Sequence, residues 1–257
     1  MEHLKQHFRT EERPFVERIT EWAELVGVRH QPRLTPFLNP REQFIIRSVV
    51  GHIPDVSVTL WGGYDQAERK RALIIPAYWD AGHKEFQLSL LAIEHSQAGE
   101  ITHRDVLGSL LGLGIKREVV GDILITPETK QVIVVKEMEE YIRLYLTQIG
   151  RQRVKIERVE WSALSVPDET WDQLTAVVSS LRLDVIVAEC IRLSRAKAMQ
   201  LIKSGRVKVN WKTEDHPAET VSEGDTISIK GFGRFLFKEI DRKTRKDKFR
   251  IYLGFKK

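Results

Sequence analysis

Ser194-Arg195-Ala196-Lys197-Ala198-Met199-Gln200-Leu201-Ile202-Lys203-Ser204-Gly205-Arg206-Val207-Lys208-Val209-Asn210 decides how this 257-residue chain is to be read. Ser194 has the side chain of a helix N-cap, whose oxygen accepts a hydrogen bond from a backbone N–H that the helix leaves free. Ala198, Leu201 and Ile202 then fall on one helical face. Gly205 fits the residue that closes a helix in a left-handed turn. Val207 and Val209 alternate with Lys208 and Asn210, the period of a half-buried strand. Upstream, Leu183, Ile186, Val187, Cys190 and Ile191 line one face of an earlier helix that starts after Arg182. The order is helix, short turn, helix, strand, around a small shared core.

Arg182, Arg192, Arg195, Lys197, Lys203, Arg206 and Lys208 surround that core. Several sit at helix ends or turns, where side chains converge on one surface. Such a surface neutralises several phosphates, and the released counterions drive binding. Arginine also bonds phosphate bidentately or stacks on exposed bases. The helix start at Ser194-Arg195 adds free N–H donors for a phosphate. Further on, Lys230-Gly231-Phe232-Gly233-Arg234 joins charge to an aromatic ring, and its glycines allow close backbone approach. Charge is distributed in the same sense. From Leu181 to the C-terminus 19 Lys and Arg face 10 Asp and Glu, a balance of +9; the preceding 180 residues carry 22 against 26, or −4. A basic module on a mildly acidic body points to a polyanionic partner.

Several function classes drop out. No apolar run approaches the roughly 20 residues of a membrane span. The opening Met1-Glu2-His3-Leu4-Lys5-Gln6 lacks the apolar core of a secretory signal. A single cysteine, Cys190, excludes an internal disulfide and fits a reducing cytosol. Metal-ligand spacings such as Cys-x-x-Cys are absent, so neither metal nor cofactor is expected.

Working outward to the N-terminus, Phe15, Ile19, Trp22, Leu25 and Val26 predict a helix that stops at Gly27. Pro32, Pro36 and Pro40 predict a loop, followed by a helix capped by Asn39 with Pro40 as its first residue. Two β-like runs, 56–61 and 72–78, are joined through Gly62-Gly63 and an exposed stretch, 66–71. From 86 to 160 the order reads β-α-β-β-α-β: strand 86–93, helix 103–111, strands 122–125 and 131–136, helix 138–149, strand 154–159. That order fits a ferredoxin-like or RRM-like layer. Residues 162–170 read as a linker, and 174–180 as a strand leading into the basic module. After it, strands 235–240 and 249–253 flank a basic hairpin loop, 242–248. Trp22, Trp61, Trp79, Trp161 and Trp171 read as core or interface residues.

The spaced elements Arg182-Leu183-Asp184, Ser194-Arg195 through Val209-Asn210, and Gly224-Asp225-Thr226-Ile227 resemble the S4 RNA-binding domain. The family usually places Gly after the Asn; this chain has Trp211. Two further stretches extend the resemblance over nearly the whole chain: His103-Arg104-Asp105-Val106-Leu107-Gly108-Ser109-Leu110-Leu111-Gly112-Leu113-Gly114-Ile115-Lys116-Arg117, with Gly121-Asp122-Ile123, and Lys230-Gly231-Phe232-Gly233-Arg234-Phe235. Both are similar to motifs of the bacterial YlmH proteins. The resemblance implies an α+β chain: an N-terminal helical segment with a β-hairpin (1–80), a central ferredoxin-like (RRM-like) domain (81–173) and a C-terminal S4 domain (174–257). It implies a cytoplasmic, monomeric, non-catalytic factor that binds rRNA of the large ribosomal subunit beside peptidyl-tRNA. Family members act in ribosome-associated quality control, supporting C-terminal tailing of stalled chains with RqcH, and an older association is with cell division. RNA contact is expected at Arg182, Arg192, Ser194, Arg195, Lys197, Lys203, Arg206, Lys208, Lys230, Phe232 and Arg234. Secondary contact with RNA or a partner is expected at His103, Arg104, Lys116 and Arg117.

Sharper readings compete. His103-Arg104-Asp105 matches the start of a kinase catalytic loop, but position 110 is Leu where that loop needs Asn. Gly108, Gly112 and Gly114 are followed by no Gly-Lys-Ser/Thr, so a phosphate-cradling loop is excluded and a tight helix-to-strand turn is expected. Arg182-Leu183-Asp184 matches the tripeptide around the catalytic aspartate of some pseudouridine synthases, many of which carry an S4 domain. Here it lies inside the RNA-binding module and no second copy exists. Asp184 is expected instead to bond a nearby N–H or to orient Arg182.

Overall fold

The computed structural model describes residues 8–95, 100–168, 171–243 and 248–256. The chain divides into two compact units, Met1–Pro167 and Asp168–Lys257.

The first unit opens with α1 (Arg13–Arg29), which runs through Gly27 and ends where His30 adopts φ 54°. The predicted proline loop contains an edge strand, β1 (Arg33–Leu38). Pro36 is tolerated there because the register shifts between Leu34 and Phe37, a bulge that needs no N–H from proline. Asn39 caps α2 (Pro40–Val50): its side chain accepts from the Glu42 N–H while Glu42 reaches back to the Asn39 N–H. β2 (Val56–Trp61) and β3 (Lys70–Pro76) complete an antiparallel sheet of order β1-β3-β2. Val16, Ile19, Ile46, Val49 and Ile74 form the core between this sheet and the two helices.

β4 (Leu88–His95), α3 (His103–Gly112), β5 (Val120–Ile125), β6 (Lys130–Val135), α4 (Glu139–Tyr145) and β8 (Gln152–Val159) follow in the predicted β-α-β-β-α-β order. The sheet order β5-β6-β4-β8, antiparallel throughout, is that of the ferredoxin-like fold. The second helix is shorter than predicted. It stops at Tyr145, and Gln148–Ile149 turns into a short strand, β7, against β8. Val106, Leu110 and Ile142 pack on Leu91, Val132 and Val134 from the helical side.

The other face of this sheet is covered, unlike the base-stacking face of an RRM. Leu90, Leu124, Ile133 and Val135 pack with Phe37 of β1. The segment after β8, predicted to be linker, folds back over the same face. Gln131, 3% exposed, donates from Nε2 to the Ala163 carbonyl (2.7 Å) and accepts from the Ser165 N–H (2.9 Å). Thr170 and the opening Met1-Glu2-His3-Leu4-Lys5-Gln6 lie outside the described residues.

The second unit is a six-stranded antiparallel sheet of order β11-β10-β12-β13-β14-β9, from β9 (Asp172–Val178), β10 (Val207–Val209), β11 (Lys212–Thr213), β12 (Thr226–Ile229), β13 (Gly233–Lys243) and β14 (Phe249–Lys256). α5 (Leu183–Ile191) and α6 (Arg195–Lys203) pack on one side, burying Leu183, Ile186, Val187, Leu201 and Ile202 against Val207, Ile227, Phe237 and Ile251. β9 is part of this core through Ala176 and Val178, although the S4-like pattern starts only at Arg182. Of the predicted basic loop, Thr244, Arg245, Lys246 and Asp247 lie outside the described residues.

Candidate RNA-binding surface

Asp184 organises the helix pair. Its residue is 0% exposed, yet it is ionisable and so needs partners. Arg182 supplies two bonds, Nε to Oδ1 (3.1 Å) and Nη2 to Oδ2 (3.2 Å). Arg195, opening α6, donates from Nε to Oδ2 (2.8 Å). Burial alone would raise the carboxyl pKa; the bonds and charges from Arg182 and Arg195 outweigh it and hold it below the ordinary value. The Asp184 N–H is used as well, donating to the Pro217 carbonyl. The expectation that Asp184 orients Arg182 therefore extends to Arg195. Both guanidinium side chains remain about half exposed (40% and 53%), aimed by a buried anion but open to a ligand.

Ser194 caps α6, its Oγ accepting from the Lys197 N–H (3.3 Å). Arg192 is the left-handed residue that ends α5 (φ 52°) and is exposed, as are Lys197 and Lys203. These residues lie with Arg182 and Arg195 on the helical side.

Lys208 and Arg234 point the other way. Lys208, Ser228, Arg234 and Lys256 are successive partners across β10, β12, β13 and β14, on the face opposite the helices. Strand spacing puts them about 4.8 Å apart per step. Lys256 belongs to this row, and sequence pattern alone missed it because only strand register reveals it. The Arg234 guanidinium lies 5.3 Å from the Trp211 ring, and the Lys256 ammonium 5.9 Å from the Trp171 ring. Trp211 and Asn210 form a two-residue hairpin turn with φ 64° and 49°. Asn210 staples that turn to β12: its amide donates to Asp225 (2.7 Å) and its carbonyl oxygen accepts from the Thr226 N–H (2.9 Å). The two motif elements Val209-Asn210 and Gly224-Asp225 are thus one hydrogen-bonded corner. Arg206 and Lys230 sit at the other end of the β10–β12 pair, the Lys230 N–H donating to the Arg206 carbonyl (2.9 Å). Phe232 is 37% exposed in the adjoining loop.

The four secondary residues divide. His103, Arg104 and Lys116 are exposed. Arg117 is not: its Nη1 donates to the carbonyls of Val120 and Gly121, and burial pushes its pKa down to about 10. It belongs to an internal latch. Asp122 accepts from Tyr64 Oη (2.8 Å), the Glu68 N–H (2.7 Å) and the Arg69 N–H (3.0 Å), while Arg69 reaches the carbonyls of Val120 and Phe37. The 66–71 stretch, expected to be exposed, is therefore built into the unit; Arg71 is 7% exposed and bonded to the Thr35 and Phe86 carbonyls. Gly121 lies against the Phe37 ring, 2.7 Å from where a Cβ would stand. Gly108 and Gly112 face open space, and Gly114 makes the left-handed turn after α3 (φ 79°). Among the described residues, no helix is long and apolar enough to cross a membrane. Glu214, Asp215 and His216 lie within reach of one another but are bonded among themselves and to Lys212.

Known proteins align with this architecture from end to end. Family models match residues 11–79 ("YlmH, N-terminal"), 82–163 ("Putative RNA-binding domain in YlmH") and 181–227 ("S4 domain"). The chain is 40% identical over 252 residues to the ribosome-associated protein quality control protein P2 of Bacillus subtilis (strain 168), covering 98% of each. A solved structure, the cell division protein ylmH from Streptococcus pneumoniae, superposes with a TM-score of 0.55 at 29% identity, over 63% of this chain and 98% of that one. With all three regions matched in order, this chain belongs to the YlmH family of S4-domain proteins.

Proposed function

We propose that the chain is a non-catalytic RNA-binding factor. It docks through its C-terminal unit on rRNA of the large ribosomal subunit, beside peptidyl-tRNA, and acts in ribosome-associated quality control with the tailing factor RqcH. It works in the cytoplasm as a monomer. The observation that carries this reading is the pair Arg182 and Arg195, held half exposed on buried Asp184 at the starts of two helices. Guanidiniums fixed in this way lose little entropy when they bond phosphate or stack on a base. The printed name of the Bacillus subtilis relative supports a ribosomal setting. Against the synthase alternative, Asp184 is 0% exposed and its oxygens are already taken by two arginines, so a base has no path to it.

Sedimentation of a lysate tests the reading. The protein is expected with large subunits, Arg195→Ala expected to move it to the top of the gradient, and nucleoside mass spectra of the RNA to stay unchanged. A modified nucleotide that depends on the protein and disappears with Asp184→Asn would replace this reading by the synthase.

A further inference from the structure

We infer that a cavity at the C-terminal end of α5 receives one unpaired base of the bound RNA, guanine in preference to the others; this rests on the RNA-binding reading above. The cavity measures about 390 Å³. It is a half-open groove whose volume falls in the range of small-molecule sites. Its walls are apolar: Phe235 and Phe255, whose rings stack at 4.9 Å, with Leu174 and Cys190. Its polar rim combines Asp172, Gln173 and Arg192 with the half-exposed ring of Phe232.

The chemistry selects a nucleobase. A flat heteroaromatic ring stacks on the exposed Phe232 ring above this apolar floor, and every unpaired base has such a face. Arg192 stands on the same rim as Phe232, so phosphate-binding charge lies at the mouth. A neutral apolar ligand has no use for that charge. Asp172 sets the preference. A carboxylate accepts two parallel N–H donors, and guanine alone offers them, at N1 and N2. Adenine and cytosine each set an unprotonated ring nitrogen beside their amine, and uracil flanks its one N–H with two carbonyls. Of the rim residues, Arg192 and Phe232 also stand among the expected RNA contacts; Asp172 and Gln173 lie on β9, outside the S4-like pattern.

The test uses the full-length chain and two labelled RNA hairpins with the same stem, one carrying a guanosine in its loop and the other an abasic site there. Fluorescence anisotropy gives the ratio of affinities. The wild type should favour the guanosine loop about tenfold, the scale of one base–aromatic stack. Phe232→Ala, at an exposed position, and Leu174→Trp, which fills the cavity, should both bring the ratio to one; Asp172→Asn should let adenosine compete with guanosine. Arg195→Ala should weaken both hairpins in parallel and keep the ratio. Tight binding of both hairpins with a ratio of one in the wild type, or a ratio untouched by Phe232→Ala and Leu174→Trp, overturns the base site while leaving the RNA reading intact. A cavity filled by a partner's apolar side chain would give that result. Absence of binding to either hairpin overturns both.

Discussion

Asp184→Asn keeps the shape of the side chain and removes its charge, so it separates two roles of the helix pair that otherwise act together. The carboxylate accepts three bonds, two from Arg182 and one from Arg195. An amide has one acceptor oxygen. With that oxygen under Arg195, the Arg182 Nε bond is lost; flipped, both bonds to Oδ2 are lost. A hydrogen bond to a charged group is worth about 1.5–3 kcal/mol. The variant recovers part of this because a buried amide costs less desolvation than a buried carboxylate. The second unit should therefore lose about 1–3 kcal/mol, which for a domain of this size lowers Tm by roughly 5 °C or more.

Binding distinguishes the mechanisms by sign. If charge alone governed affinity, removing an anion beneath two arginines would tighten RNA binding, by about twofold in physiological salt where such fields are screened. If the arginines work because Asp184 aims them, binding must order two freed side chains, and affinity falls roughly tenfold. The structure favours the second outcome. Circular dichroism melts and anisotropy with an rRNA fragment at about 150 mM salt, near one Debye length of 8 Å, measure both quantities. A variant that melts with the wild type and binds RNA more tightly would refute the positioning role.

Acidification should affect the two units with opposite sign. The Asp184 pKa is depressed in the folded chain, so its contribution is complete above the ordinary carboxylate value and is lost as pH falls through the folded value; Asp184→Asn should flatten that acid limb in urea titrations. Burial raises the Asp122 pKa despite its bonds from Tyr64 and the Arg69 and Glu68 N–H groups, so its contribution is complete below the ordinary value and declines as pH rises through the raised one; Asp122→Asn should remove the decline. Gly121→Ala drives a Cβ into the Phe37 ring and should destabilise the first unit by about 1–3 kcal/mol in urea unfolding, while leaving RNA affinity of the second unit unchanged. Trp211→Gly relieves a left-handed side chain at φ 64° and should raise the melting temperature of the second unit, with a strain relief of about 1 kcal/mol, yet weaken RNA binding because Arg234 loses its ring.

The helix pair was readable in the sequence because its signals are local: a serine cap, apolar residues one turn apart, a glycine stop. The same holds for the ferredoxin-like order, where each element declares itself by its own period. Boundaries failed where a long-range contact overrode the local signal. Gly27 stays helical because Val26 beside it is buried in the core and the His30 N–H closes on the Val26 carbonyl across it. Pro36 sits in a strand because Phe37 is needed against Ile133 and the bulge absorbs the missing N–H. Arg69, Arg71 and Arg117 read as surface charge, yet each ends on backbone carbonyls, a use of arginine that composition cannot signal.

The same distinction decides how the basic residues should be weighed. A count of positive charge treats Arg182, Arg195, Lys208 and Arg234 alike, but the fold assigns them to opposite sides of one sheet. Arg182 and Arg195 share an anion and are ordered before any ligand arrives; Lys208, Arg234 and Lys256 form a row whose register depends on the Asn210–Asp225 corner. One RNA helix cannot lie flat on both faces of a sheet about 10 Å from its neighbouring layer. The two sets should therefore respond differently to substitution. Lys256→Ala should lower the salt slope of binding by about one phosphate with modest loss of affinity, the signature of a screened charge. Arg195→Ala should lower affinity at all salt concentrations, since it removes a directed contact and releases Asp184 from a partner. If instead both variants change only the salt slope, the buried anion orders nothing that RNA uses, and the helix pair is no more than charge on a scaffold.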